Sequence, residues 1–164
     1  MAVEIRPARP ADEEPLSTLD RATWNALSSP APPPGPEWTF FGERTAAADV
    51  LVALVDGRVA GYVKLGRKTE LASTAHVLSV NGISVDPAFR RRGVGRALVE
   101  AAVGEARERG ARRLTLRVLG PNEGARRLYE ACGFVVEGVQ RGEFFLDGTY
   151  VDDVLMALEL GAGG

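Results

Sequence analysis

A chain of 164 residues, 45% hydrophobic and 26% charged, is long enough for one buried core and reads as a single domain over residues 1–164. Its formal net charge of −2 argues against a general nucleic-acid binder, and no run of about 18 apolar residues is present to span a membrane. With Cys132 the only cysteine and His76 the only histidine, an internal disulfide and a Cys/His metal cluster are excluded; no metal site is expected, and a soluble, cytoplasmic protein is.

Val3 to Arg6 reads as a short strand ending at Pro7. Asp12-Glu13-Glu14-Pro15 opens a helix, with Asp12 as its cap, acidic residues in the first turn and a proline tolerated that early. Leu16, Leu19, Ala22 or Thr23, and Ala26 or Leu27 supply its apolar stripe. Ser28 to Pro36 is a stiff, proline-rich loop, and Glu37 to Phe41 reads as a helical turn with aromatic anchors. Val50 to Val55 and Arg58 to Leu65 form a hairpin across Asp56-Gly57, a pair suited to the positive φ angles of a type I′ turn. Thr74 to Val85 is a long central strand, with Asn81-Gly82 marking a bulge or a close approach.

Gly93 to Arg109 is a helix stopped by Gly110, Arg113 to Leu119 a strand, and Asn122 to Cys132 a second helix stopped by Gly133. Ala125, Leu128, Tyr129 and Cys132 fall on one face of it. Phe134 to Gln140 and Tyr150 to Leu160 close the chain as strands joined through Asp147-Gly148. The order βααβββαβαββ predicts a mixed α/β sheet.

The most informative stretch is Arg90-Arg91-Arg92-Gly93-Val94-Gly95-Arg96, where a strand turns into a helix. Glycines let a backbone approach a ligand, the first N–H groups of a helix have no partner within it, and the dipole there favours negative charge. Together with the arginines this describes a phosphate site; a tight turn without a ligand is the alternative reading. The Walker loop needs a Gly-Lys-Ser/Thr ending that is absent, and Leu98 stands where a dinucleotide fingerprint requires its third glycine.

A second pattern, Asn122…Ala125-x-x-Leu128-Tyr129-Glu130-x-x-Gly133-Phe134, joins the first. With both, the chain resembles the GNAT superfamily of acetyl-CoA-dependent N-acetyltransferases over essentially its whole length. The ending Gly138…Asp147-Gly148-Thr149-Tyr150-Val151-Asp152…Met156 resembles the branch that acetylates amino acids, protein N-termini and small amines. The resemblance implies a mostly antiparallel twisted sheet of about seven strands, helices on both faces, and a V-shaped split between two central parallel strands.

It further implies acetyl-CoA as acyl donor, its pyrophosphate on the backbone of Arg92, Gly93, Val94, Gly95 and Arg96, with Arg91 and Arg96 adding charge and Arg90 at the family's first motif position. The backbone of Ile83, Ser84 and Val85 would run along the pantetheine arm. Tyr129 matches the family's general acid, and its alternative is a core tyrosine. Asn122 would hold the cofactor or cap its helix. The acceptor would be a primary amine on a small molecule or peptide, attacked directly in a ternary complex. A non-catalytic acyl-CoA sensor on the same fold is the rival, and a homodimer is compatible with family likeness.

The general base is not evident. Arg117 stands where protein N-terminal acetyltransferases carry a Glu, and a cation there would repel an ammonium. His76 lies seven residues from Ile83, roughly 23 Å along an extended strand. Glu37, Asp152 and Asp153 are acidic residues that could meet the amine, and Trp38, Phe40 and Phe41 could pack around it or anchor their loop. Glu37, Trp38 and Asp152 are therefore the expected acceptor-side residues.

Overall fold

In a computed structural model, which describes residues 2–161, seven strands form one sheet in the order β1-β2-β3-β4-β5-β7-β6. The strands are β1 (Val3–Pro7), β2 (Val50–Val55), β3 (Arg58–Arg67), β4 (Val77–Val85), β5 (Arg113–Leu119), β6 (Val135–Leu146) and β7 (Thr149–Glu159). Every neighbouring pair is antiparallel except β4 and β5. The helices are α1 (Glu13–Thr23), α2 (Val94–Glu108) and α3 (Glu123–Ala131).

The two hairpins form where Asp-Gly pairs predict them. Asp56 and Gly57 take φ 51° and 74°, and Asp147 and Gly148 take 49° and 75°, both positive as a type I′ turn demands. The first hairpin carries the most buried strand, β2, with all six of its residues inside. α2 packs on one face of the sheet through Val94, Leu98, Val99, Ala102 and Ala106 against Ala53, Val63 and Leu114. α1 lies on the other face, where Leu16 and Leu19 join Val50, Val52, Tyr62 and Phe40 in a second apolar cluster. Two cores on opposite faces are what a mixed sheet with crossover helices requires.

Four sequence expectations are corrected. No helix forms over 37–41, so the order is βαβββαβαββ. The reason is Glu13, in the first turn of α1: its carboxylate accepts from the N–H of Phe40 at 2.6 Å and of Phe41 at 2.8 Å, which removes the donors a helical turn would use. Asp12 precedes α1 but does not cap it with its side chain. It accepts instead from Arg6 at 2.8 and 3.0 Å and from the N–H of Arg9 at 2.7 Å, tying β1 to the start of the helix. α1 stops at Thr23, because Trp24 turns extended (φ −62°, ψ 133°), and the stripe never reaches Ala26 or Leu27. β4 begins at Val77, since Ala72–Thr74 form a 3₁₀ turn.

Candidate active site

The site is made by a ladder that stops. β4 and β5 pair over three positions only, Val77↔Arg113, Leu78↔Leu114 and Ser79↔Thr115, and then diverge. The divergence starts at the bulge read from the sequence: opposite β3, Lys64 pairs with Gly82 and Leu65 with Val80, so Asn81 is the extra residue. A bulge bends its own strand and sharpens its twist, which carries the end of β4 away from β5. The opening is a cavity of about 390 Å³. Ile83, Asn122, Ala125 and Tyr129 line it on the side of α2 and α3, and Ser29, Asn81, Arg117, Phe144 and Asp153 are also among its lining residues.

At the head of α2, Gly93 has φ 79° and no atom lies within 4 Å of where its Cβ would stand, so conformation and not crowding selects glycine there. Arg91, two residues earlier, also has a positive φ of 61°. Gly95 has a different reason. A Cβ there would come within 3.2 Å of Leu128, so this glycine lets α2 pack closely on α3. The first intrahelical bond runs from Ala97 N–H to Gly93 C=O at 3.0 Å, and the amides of Val94, Gly95 and Arg96 precede it with no helical carbonyl to meet. Arg90, Arg91, Arg92 and Arg96 are exposed around this turn. Arg96 forms an ion pair with Glu100 at 2.9 Å, and Arg90 Nε donates to the carbonyl of Val85 at 3.4 Å.

Ile83, Ser84 and Val85 divide between the two faces of β4. Ile83 lines the cavity and packs on the α2-side core, while Ser84 Oγ donates to Thr23 Oγ1 of α1 at 2.5 Å.

Tyr129 is 5% exposed and lines the cavity, its ring 5.9 Å from that of Phe134. Its hydroxyl has no hydrogen-bond partner among the described residues. Burial pushes its phenol up to about 12, so it is a protonated group across neutral pH. Asn122 both caps α3, accepting from Ala125 N–H at 3.2 Å, and donates from Nδ2 to the carbonyl of Leu27 at 3.1 Å. It therefore ties the tyrosine helix to the loop of Leu27 to Pro30, which lines the cavity mouth.

Beyond Tyr129, the structure groups the predicted residues unevenly. Arg117 lines the cavity, but it is not a bare cation: Nε donates to Asp153 at 2.6 Å and Nη2 to Gln140 at 2.9 Å. Asp153 is 2% exposed. Asp152 faces a separate hollow beside Gly120 and Pro121, and its carboxylate accepts from Gly142 N–H at 2.9 Å. Glu37 is exposed and His76 is exposed before β4; neither lines the cavity.

Trp38 is an anchor for its loop, edge-on to Phe40 at 6.0 Å, and Arg21 donates to its carbonyl at 3.1 Å. The aromatic cluster of Trp38, Phe40 and Tyr62 holds a cation of the protein's own: Lys64 Nζ lies 4.3 Å from the Phe40 centroid, 5.6 Å from Tyr62 and 5.9 Å from Trp38. Burial lowers the pKa of this ammonium, with Asp20 opposing, and Tyr62 donates to Asp20. Sequence reading missed Lys64. The signal was present, since β-strand alternation puts residues 62 and 64 on one face.

Residues 14–134 match the sequence model of the Acetyltransferase (GNAT) family. The chain is 34% identical over 149 residues to the ribosomal protein bS18-alanine N-acetyltransferase of Salmonella typhimurium, a match covering 88% of this chain and 95% of that one. Among solved structures it is similar to smu.2055 from Streptococcus mutans UA159, with a TM-score of 0.85 and 29% identity over 96% of this chain and 99% of that one. A phosphinothricin acetyltransferase from Sinorhizobium meliloti, solved in complex with AcCoA, shares the fold at a TM-score of 0.84 and 22% identity, covering 99% and 91% of the two chains.

Proposed function

The chain belongs to the GNAT family of acetyltransferases, and from that premise we propose that it moves the acetyl group of acetyl-CoA to a primary amine on a small molecule or peptide, by direct attack in a ternary complex. The donor supplies an activated thioester. The observation that carries the reading is the split between β4 and β5, with the unpartnered Tyr129 hydroxyl in its wall and the left-handed turn of Gly93 heading α2.

The residues present fit the donor. The amides of Gly93, Val94, Gly95 and Arg96 would take the pyrophosphate, with Arg90, Arg91 and Arg92 supplying exposed charge. The β5-facing backbone of β4 beyond Ser79 has no ladder partner, so the amide-bearing arm would add to that edge along Ile83 to Val85 as a further strand. Asn122 holds the helix and the mouth loop in place around it.

In the reaction a nitrogen–carbon bond forms, the carbon–sulfur bond breaks, the amine loses a proton, and the sulfur gains one. Tyr129, buried in the cavity wall, would give the sulfur its proton. A phenol raised to about 12 holds its proton more tightly than a thiol of about 8.5 in water, but the burial that raises the phenol acts in the same direction on a thiolate beside it. The hydroxyl thus also serves as a hydrogen-bond donor to sulfur while charge develops.

A cytoplasmic setting is part of this proposal. Among the described residues no helix is long and apolar enough to cross a membrane. The test is calorimetric titration with acetyl-CoA, followed by a thiol-release screen over amino acids, polyamines, aminoglycosides and peptides. Binding together with thiol release for at least one amine is the expected result. Binding with no release for any amine would mark a sensor and end the transferase reading.

A further inference from the structure

Lining the cavity are one cation and, among the described residues, one carboxylate, and the two are committed to each other. Asp153 is buried; its carboxylate accepts from Nε of Arg117 and forms an ion pair with the guanidinium, whose Nη2 donates to Gln140. The Arg117 side chain is 54% exposed, and its third nitrogen, Nη1, has no partner among the described residues. A guanidinium clamped at two corners and open at the third is pre-oriented for an oxyanion. It is always charged, and little rotamer freedom remains to be lost when a ligand arrives. Ser29 and Asn81, which also line the cavity, are uncharged.

A cationic acceptor group finds no counterpart here. Asp153 is already engaged by Arg117. The aromatic cluster next to β4 is occupied by Lys64, whose stem runs 3.6 Å from where a Cβ of Gly82 would stand, and a second cation over the same rings would meet like charge.

We propose that Arg117 reads the acceptor by its carboxylate, so that the substrate is a small amino acid or a close analogue and not a polyamine or a protein N-terminus. This rests on the acetyl-transfer reading above. A peptide N-terminus carries an amide where a free amino acid carries a carboxylate, and it brings no charge to Nη1. Asp153 and Gln140 are positioning residues, holding the guanidinium.

The test compares each free amino acid with its own α-amide in the thiol-release assay, and compares binding of the N-acetylated acid and N-acetylated amide to CoA-saturated protein by calorimetry. The acid is expected to exceed its amide in kcat/KM by about 10- to 100-fold, the worth of a hydrogen bond to a charged partner, and the difference is expected in KM and not in kcat. Arg117→Gln should bring the ratio within about threefold of unity on the same scale. Because that change strands a buried carboxylate, Arg117→Gln with Asp153→Asn is the second variant, and the same collapse of the ratio is expected from it. An amide or peptide turned over as well as the acid, or a preference that survives in the double variant, overturns the assignment and leaves the transferase standing. Acetyl-CoA binding with no thiol release for any amine overturns both.

Discussion

Tyr129→Phe separates chemistry from packing, because the structure gives the hydroxyl no internal partner. The ring keeps its burial and its contact with Phe134. No hydrogen bond is lost, so the stability change should stay within about 0.5 kcal/mol, as for a substitution that leaves no polar group stranded. For a domain of this size that is a melting shift of about 2 °C or less. The rate should respond very differently. A positioned general acid is worth about 10²- to 10⁴-fold, or about 3 to 5 kcal/mol of barrier.

Steady-state thiol release with acetyl-CoA and a competent amine, run from pH 6 to 9, reads kcat and the acetyl-CoA KM together. The expected result is kcat down at least 100-fold with KM changed less than about threefold, at every pH in the range, since a phenol near 12 stays protonated throughout. A variant with kcat within threefold of the parent would refute the role. A melting temperature lower by about 8 °C or more would refute the premise that the hydroxyl is unengaged.

Three further outcomes follow from the geometry. Gly61→Ala places a Cβ 2.6 Å from the carbonyl of Ser84 and 3.0 Å from Leu98, a clash with backbone that cannot swing aside. It should lower stability by about 2 kcal/mol in denaturant and weaken acetyl-CoA binding in calorimetry by pushing β4 at the cavity. Gly93→Ala meets no atom but must hold φ 79°, so its cost is conformational, about 1 kcal/mol, and a rise in acetyl-CoA Kd should accompany it. Asp12→Asn tests an ion pair whose carboxylate Arg6 holds below the usual range. Below about pH 3.9 the unfolded chain binds the proton before the folded one, so the pair's stability is present above that pH and lost as pH falls. The variant should be about 1–2 kcal/mol less stable at pH 7 by urea unfolding, and the gap should close toward pH 2.

The elements that position the site were legible because they are locally encoded. Asp-Gly pairs set both hairpins, Asn81-Gly82 marked the bulge, Gly93 and Gly110 bounded α2, and Asn122 capped α3. What could not be read depended on partners distant in sequence. Glu13 reaches Phe40 and Phe41 across 27 and 28 positions and abolishes the expected helix. Asp153 sits 36 positions from Arg117, so a residue that looked like a repelling cation is half of a pair. Trp38 looked like part of a receptor for an incoming amine, yet the cluster it belongs to holds Lys64. Local propensity cannot report such contacts, since they exist only once the sheet has brought its strands together.

The three-rung ladder between β4 and β5 has a mechanical side. It divides the sheet into a four-strand wing and a three-strand wing sewn by one short seam. A ligand arm laid in the opening would suture the wings, and amides along both margins should exchange with deuterium more slowly when it is present. Thermal resistance would then track thioester supply, gaining about 2.7 kcal/mol at a concentration one hundred times Kd. A starved cell would hold a softer enzyme than a fed one.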